Sequence, residues 1–166
     1  MAHIESTLLV PGSPEEVFAF LEAPESHARF IPNMIAFQQT SAGPFGSVGA
    51  RADGLLSYMG WIRIGVHYEI IEHEPNHRLA MKGQMGRVQF RDGYILTKDG
   101  VNTEIRFWLD LFPRGWATLF SPFMGLIGRL HAWETLRNLK RELRSTYRHR
   151  RNEPAPRKNG IDADGH

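Results

Sequence analysis

One long helix near the C-terminus limits what this chain can fold into. Ser121-Pro122 opens it with a good N-cap and the one residue that suits the first helical position. The 26 residues from Phe123 to Arg148 contain no proline and are rich in Leu, Arg and Glu, so the sequence predicts a continuous helix to about Arg148. At 1.5 Å per residue it would be about 40 Å long, the full width of a small domain. Most of what precedes it reads as strands, and a long strand meander must close on itself or bury one face against something apolar. This helix is the only candidate.

The strands follow from alternation and turn residues. Residues 3–10 alternate, with Ile4, Ser6, Leu8 and Val10 on one side. Ser13-Pro14-Glu15-Glu16 is a capping box, and Val17, Phe18, Phe20 and Leu21 give its helix a buried face before Ala23-Pro24 stops it. A second helical turn is predicted near residues 25–30. Six further strands are predicted at about 34–41, 47–58, 61–74, 78–85, 87–98 and 102–112, separated by Gly-, Asn-, Asp- and Pro-containing turns. Joined in sequence by short turns, the seven strands should run antiparallel.

Composition narrows the chemistry. A chain of 166 residues with ten Phe and four Trp can build a real core, and residues 1–148 are expected to form one domain. The absence of cysteine excludes disulfides, thiolate metal sites and cysteine nucleophiles, and suits a cytoplasmic protein. No signal peptide is evident at the N-terminus. The net charge of +2 is unevenly spread: residues 137–166 hold nine Lys/Arg against four Asp/Glu, and the rest is mildly acidic. The basic run on the helix from Arg137 to Arg151 complements the helix dipole, and nucleic acid is not expected as a partner. Residues 149–166 are expected to form a disordered polar tail.

Order and lengths of the elements resemble the START-like, helix-grip (SRPBCC) superfamily, closest to its polyketide cyclase/dehydrase-like family. The resemblance covers residues 2–148. It rests on Ser13 to Phe18, on Gly46 to Ala50, on Tyr68 to Pro75 with Arg78-Leu79, and on Tyr94 through Ile105. It implies an α+β helix-grip fold: a curved seven-stranded antiparallel sheet wrapped around the long C-terminal helix, with two short helices after the first strand and an apolar cavity between sheet and helix. It implies no catalytic signature.

The residues themselves carry none either. There is no phosphate-binding glycine loop, no Gly-x-Ser-x-Gly and no His-Glu-x-x-His, and no cofactor is expected. His73 and His77 flank one turn but lack a third ligand, so no metal site is expected. Asp92 shares a strand face with Val88, Phe90, Tyr94 and Leu96. If buried, it would be a general acid or base, or a polar anchor; the plainer alternative is a bulge or kink at Asp92-Gly93. On the sheet, Tyr58, Tyr68, Met81, Phe90, Asp92, Tyr94, Phe107 and Leu109 are the candidate ligand contacts. On the helix and its lead-in the candidates are Phe123, Gly125, Gly128 and Ala132.

Two features of the helix bear on function. Ala132, Leu136, Leu139, Leu143 and Tyr147 recur every three or four residues, which marks the gripped side. Projected back, that side meets Gly125 and is flanked by Gly128, where small residues would leave room for a cavity. Residues 115–128 carry no charge and include Trp116, Leu119, Phe123, Leu126 and Ile127. Core, cavity lid and membrane contact all stay open for them, although fourteen residues are too few to span a bilayer. The expected partner is a hydrophobic or amphipathic small molecule such as a lipid, isoprenoid, polyketide or aromatic metabolite. A cyclase or dehydratase using a buried acid or base is the alternative.

Overall fold

The computed structural model describes residues 1–152. Its elements are β1 Ala2–Pro11, α1 Pro14–Glu22, α2 Pro24–Phe30, β2 Met34–Gln39, β3 Arg51–Tyr58, β4 Ile62–Glu74, β5 Arg78–Met85, β6 Val88–Asp99, β7 Asn102–Pro113 and α3 Ser121–Asn152. The strands form one antiparallel sheet in the order β1-β7-β6-β5-β4-β3-β2, so consecutive hairpins are interrupted only where β1 closes against β7. This is the helix-grip arrangement the sequence predicts.

Local chemistry explains the helical entry. Ser13 accepts from the Glu16 amide at 3.4 Å and Glu16 accepts from the Ser13 amide at 3.0 Å, satisfying two of the free N–H groups at the start of α1. Val17, Phe18 and Leu21 are then buried, as their spacing predicts. α2 follows directly, burying His27 and Phe30, and a close His73–Glu22 contact joins α1 to the end of β4. His77 bonds instead to Glu74 at 2.8 Å, so each histidine of that turn has its own carboxylate.

Some boundaries differ from expectation. β3 begins at Arg51 rather than near residue 47, because Ser47–Ala50 is spent on a turn that leads the chain to β4 through the Gly49–Ile70 and Ile70–Ala50 backbone bonds. β2 ends at Gln39, two residues early, where the Gln39 amide turns back to the Ser41 and Gly43 carbonyls. A 3₁₀ segment, Gly115–Phe120, leads into α3. α3 itself continues to Asn152, which corrects the expected tail at its first four residues; residues 153–166 lie outside the described residues.

The second half of α3 is held as predicted. Ala132, Leu136, Leu139 and Leu143 are buried against the sheet and the short helices, with Tyr147 at the edge of that stripe. Asn138 donates to the Phe30 carbonyl at 3.2 Å, and Arg29 pairs with Glu142 at 2.6 Å. Together they fix α3 to the end of α2.

Candidate functional site

Between the concave face of the sheet and the first half of α3 lies a cavity of about 270 Å³. Strand alternation determines which side chains reach it. Along β6, Val88, Phe90, Asp92 and Tyr94 all face it, and β7 adds Phe107, Leu109 and Leu111. Tyr58 comes from the end of β3, and Val66 and Tyr68 come from β4. The opposite wall is α3, through Met124, Ile127, Gly128, His131 and Thr135. The aromatic rings brace one another, Tyr94 against Phe107 at 5.2 Å and Tyr68 edge-on to Phe90 at 5.5 Å.

Asp92 is the unusual member of this wall. It is 8 % exposed, and its Oδ1 has no hydrogen-bond partner. The β6 register runs unbroken past it on both sides, from Met81 on β5 to Leu109 on β7, so the expected bulge is absent. Gly93 serves a different purpose: a Cβ there would sit 2.7 Å from the Trp108 indole, which packs across it on the outer face. Asp92 therefore points squarely into the apolar side. Burial pushes its carboxyl up to about 7.

The other polar groups on the wall respond to the same dry environment. Burial raises the Tyr68 and Tyr94 hydroxyls well above the usual phenol range, and the nearby Asp92 charge adds to it, so both stay protonated donors. Tyr58, half-buried, is raised by burial and then by Glu134. Burial lowers His131, with Glu134 opposing, and the neutral imidazole is favoured. Thr135 Oγ1 is buried without a partner. The wall thus holds hydroxyls, one imidazole and one acid that is easily neutralised, and it includes no Lys or Arg.

Eight of the residues singled out from sequence border this cavity: Tyr58, Tyr68, Phe90, Asp92, Tyr94, Phe107, Leu109 and Gly128. Four do not. Met81 and Ala132 are fully buried in the core beside it. Phe123 projects outward and is largely exposed, and Gly125 has open space where its side chain would be. Gly128 also plays a different part from the one expected. A Cβ there would lie 2.7 Å from Ile4 Cδ1 and 3.0 Å from Leu111 Cδ1, so this glycine lets the helix approach the sheet closely and creates no void.

His131 and Thr135 were not foreseen, though their signal was present. Gly128, His131 and Thr135 repeat at three and four residues, on the flank of the stripe through Ala132 and Leu136. The core reading of residues 115–128 is also corrected. Ala117 and Gly128 are buried, whereas Trp116, Leu119, Phe123, Leu126 and Ile127 are exposed. The buried stripe of α3 passes through Gly128 and Ala132, which leaves the larger apolar residues on the outside.

A wider depression of about 760 Å³ lies on the outer side of the sheet, lined by residues including Arg51, Asp53, Glu69, Lys82 and Arg91. Its charges largely answer one another, with Lys82 on Glu69 at 2.8 Å and His67 on Asp53 at 2.7 Å. Such exposed pairs are a solvated surface, and the partly open, mainly apolar hollow is the better candidate for a ligand. Among the described residues no helix is long and apolar enough to cross a membrane, and no group of three His, Asp or Glu could hold a metal ion.

Solved structures share this architecture at low sequence identity. A START superfamily protein from Mycobacterium smegmatis superposes with a TM-score of 0.74 at 10 % identity, covering 88 % of this chain and 99 % of its own. TTHA0849 from Thermus thermophilus gives 0.72 at 12 %, over 87 % and 98 % of the two chains. A conserved protein from Geobacillus kaustophilus gives 0.71 at 13 %, over 87 % and 96 %. At such identities these likenesses bear on the fold alone. No curated protein matches the chain in sequence. The family model described as polyketide cyclase/dehydrase and lipid transport matches residues 1–144, and the chain belongs to that family.

Proposed function

We propose that the protein binds a neutral, mainly apolar small molecule bearing at least one hydrogen-bonding group, held between the sheet and the first half of α3. A lipid, isoprenoid, polyketide or aromatic metabolite meets that description. The observation that carries this reading is the pairing of an apolar cavity with two orphaned polar atoms on its wall, Asp92 Oδ1 and Thr135 Oγ1. Leaving a buried polar atom unsatisfied costs about 1–3 kcal/mol, which a ligand hydroxyl or carbonyl would recover. Apolar burial at about 25 cal/mol per Å² supplies the rest of the affinity. Neutrality follows from the wall, since a carboxylate or phosphate placed there would meet Asp92 and no cation.

Naphthalene, naphthol and naphthoate test this with three probes of one shape. Naphthol should bind about tenfold more tightly than naphthalene, the worth of one good hydrogen bond. Naphthoate should bind worst. The naphthol advantage should shrink in Thr135→Val. Equal affinities for all three, or none, would sink the reading. Native mass spectrometry of protein from its own host would then identify the natural occupant.

A second reading is favoured by one observation: an acid raised to about 7 shares the cavity with His131, which burial keeps neutral. An acid raised toward neutral pH beside an uncharged imidazole suits proton transfer in a cyclisation or dehydration. On a verified substrate, Asp92→Asn should then lower turnover by roughly a hundredfold. Unchanged turnover would leave Asp92 as an anchor only.

A further inference from the structure

We propose that the outer face of the 3₁₀ segment and the first half of α3 docks onto an anionic lipid surface. Helix phase places Leu119, Phe123, Leu126, Leu130 and Trp133 on this face, each between 56 % and 78 % exposed. The β3–β4 hairpin presents further apolar surface at the cavity. Its tip carries the exposed Met59 and Trp61, and the adjoining Tyr58 lines the cavity opposite Ile127 and His131. Large apolar side chains gathered on one region of the surface call for a partner.

Charge selects the kind of partner. From Leu111 to Trp133 there is no Asp or Glu, while Arg114 and Arg129 lie exposed within the stretch and Arg137 stacks on Trp133 at 4.5 Å. Aromatic and aliphatic side chains rimmed by three arginines, with Glu134 one turn beyond Leu130 as the one acid between Leu111 and Arg137, suit the boundary between acyl chains and anionic headgroups. A second copy of the chain suits it less well. A two-fold dimer would set the same patch against itself and bring the arginines of both copies together, with only Glu134 in the segment to pair three of them. Since no helix among the described residues can cross a bilayer, contact would be confined to the interface. The geometry also gives such contact a use. Ile127 and Gly128 border the cavity while Phe123, Leu126 and Leu130 face outward, so lipid contact on one side of these helical turns reaches the wall of the cavity on the other.

The proposal stands apart from the identity of the ligand and is tested without it. Vesicles of phosphatidylcholine and phosphatidylglycerol, mixed two to one, should carry the protein with them on flotation. Pure phosphatidylcholine should hold it at least about tenfold more weakly, since each arginine near an anionic surface is worth about 1 kcal/mol. Binding should shift tryptophan emission to the blue, because Trp61, Trp116 and Trp133 are all more than half exposed in the free protein. The variant Leu119→Ser/Phe123→Ser/Leu126→Ser should lose at least about tenfold in partition through lost apolar burial. None of the three lines the cavity, so naphthol binding should be kept. Arg114→Glu/Arg129→Glu removes the charge preference without touching apolar residues. Absence of flotation on either vesicle overturns the proposal, and equal binding to both overturns its anionic part. So does a dimer in sedimentation velocity that dissociates in the triple-serine variant, which would assign this face to a second copy.

Discussion

The two halves of α3 share a backbone and differ in almost everything they touch. From Leu136 to Leu143 the helix is anchored: Leu136, Leu139 and Leu143 are buried, Asn138 holds the end of α2, and Glu142 pairs with Arg29. From Phe123 to Thr135 it has a hollow on one side and solvent on the other. The contrast separates what folds the protein from what gives it a binding surface, because stability is concentrated where apolar contacts are dense. Leu139→Ala should therefore cost about 2–5 kcal/mol in chemical denaturation, the usual range for emptying a packed leucine site. Phe123→Ala should change stability by no more than about 0.5 kcal/mol, as expected of an exposed residue. Similar losses at both positions would erase the distinction.

Asp92 at the hollow and His27 at the packed end are both buried, and the two respond oppositely to pH. At the hollow, Asp92 holds its proton up to about 7 in the folded state against 3.8 in its ordinary range. The folded protein binds more protons than the unfolded chain between those values, so this group lowers stability as pH rises from about 4 to 7. At the packed end, His27 is stacked on Phe37 at 4.4 Å, and its Nδ1 lies 3.1 Å from the Ala23 carbonyl. Burial lowers it from 6.5 to about 4, with the Ala23 and Pro24 carbonyls opposing. Here the unfolded chain binds more protons, so stability is lost as pH falls from about 6.5 to 4.

Over that shared window the two effects offset each other, and single substitutions should expose them. In Asp92→Asn, stability should rise with pH between about 4 and 6.5, and the penalty of at most about 4 kcal/mol at pH 8 should be gone. In His27→Gln the part of the acid-side loss that His27 supplies, at most about 3 kcal/mol, should vanish and leave the opposing contributions of Asp92 and His131. Urea unfolding across pH 4–8 measures both. A flat difference between either variant and the parent would mean that group titrates alike in the folded and unfolded chains.

Sequence and structure agree best where a period is enforced by burial on one face. Ile64, Val66, Tyr68 and Ile70, or Thr103 through Leu111, allow one alternation only; on β6 the same rule leaves Asp92 open between the inner face and a bulge at Asp92-Gly93, and the unbroken register puts it on the inner face. Ser13 to Glu16 was legible because a capping box is a local device. The helix wall was harder. Which of Ala132, His131 or Thr135 faces the cavity depends on how α3 crosses a curved sheet, and a period of 3.6 tolerates a shift of one residue without breaking the pattern. Met81 shows the same limit on the sheet. It is the register partner of Asp92, yet it is packed into the core while Met85, four residues on, reaches the cavity. For residues 115–128 lack of charge alone could not tell an inward face from an outward one; only the phase set by Gly128 and Ala132 does.

The smallest expected effect separates two glycines one turn apart within the first half of α3. Either glycine weakens a helix by about 1 kcal/mol relative to alanine. At Gly125 nothing lies within 4 Å of where a methyl would sit, so Gly125→Ala should gain about 0.5–1 kcal/mol and leave naphthol binding unchanged. At Gly128 the same methyl would sit 2.7 Å from Ile4 Cδ1, so the helix must move off β1 or the isoleucine must repack. Side-chain ends can yield, which keeps the cost modest, but the propensity gain should disappear and the cavity wall should shift with it. Gly128→Ala should therefore bind naphthol more weakly than Gly125→Ala while being no more stable than the parent. An equal gain in stability at both positions would mean that the helix does not approach the sheet closely at Gly128, and that the first half of α3 is free on its inner side as well as its outer.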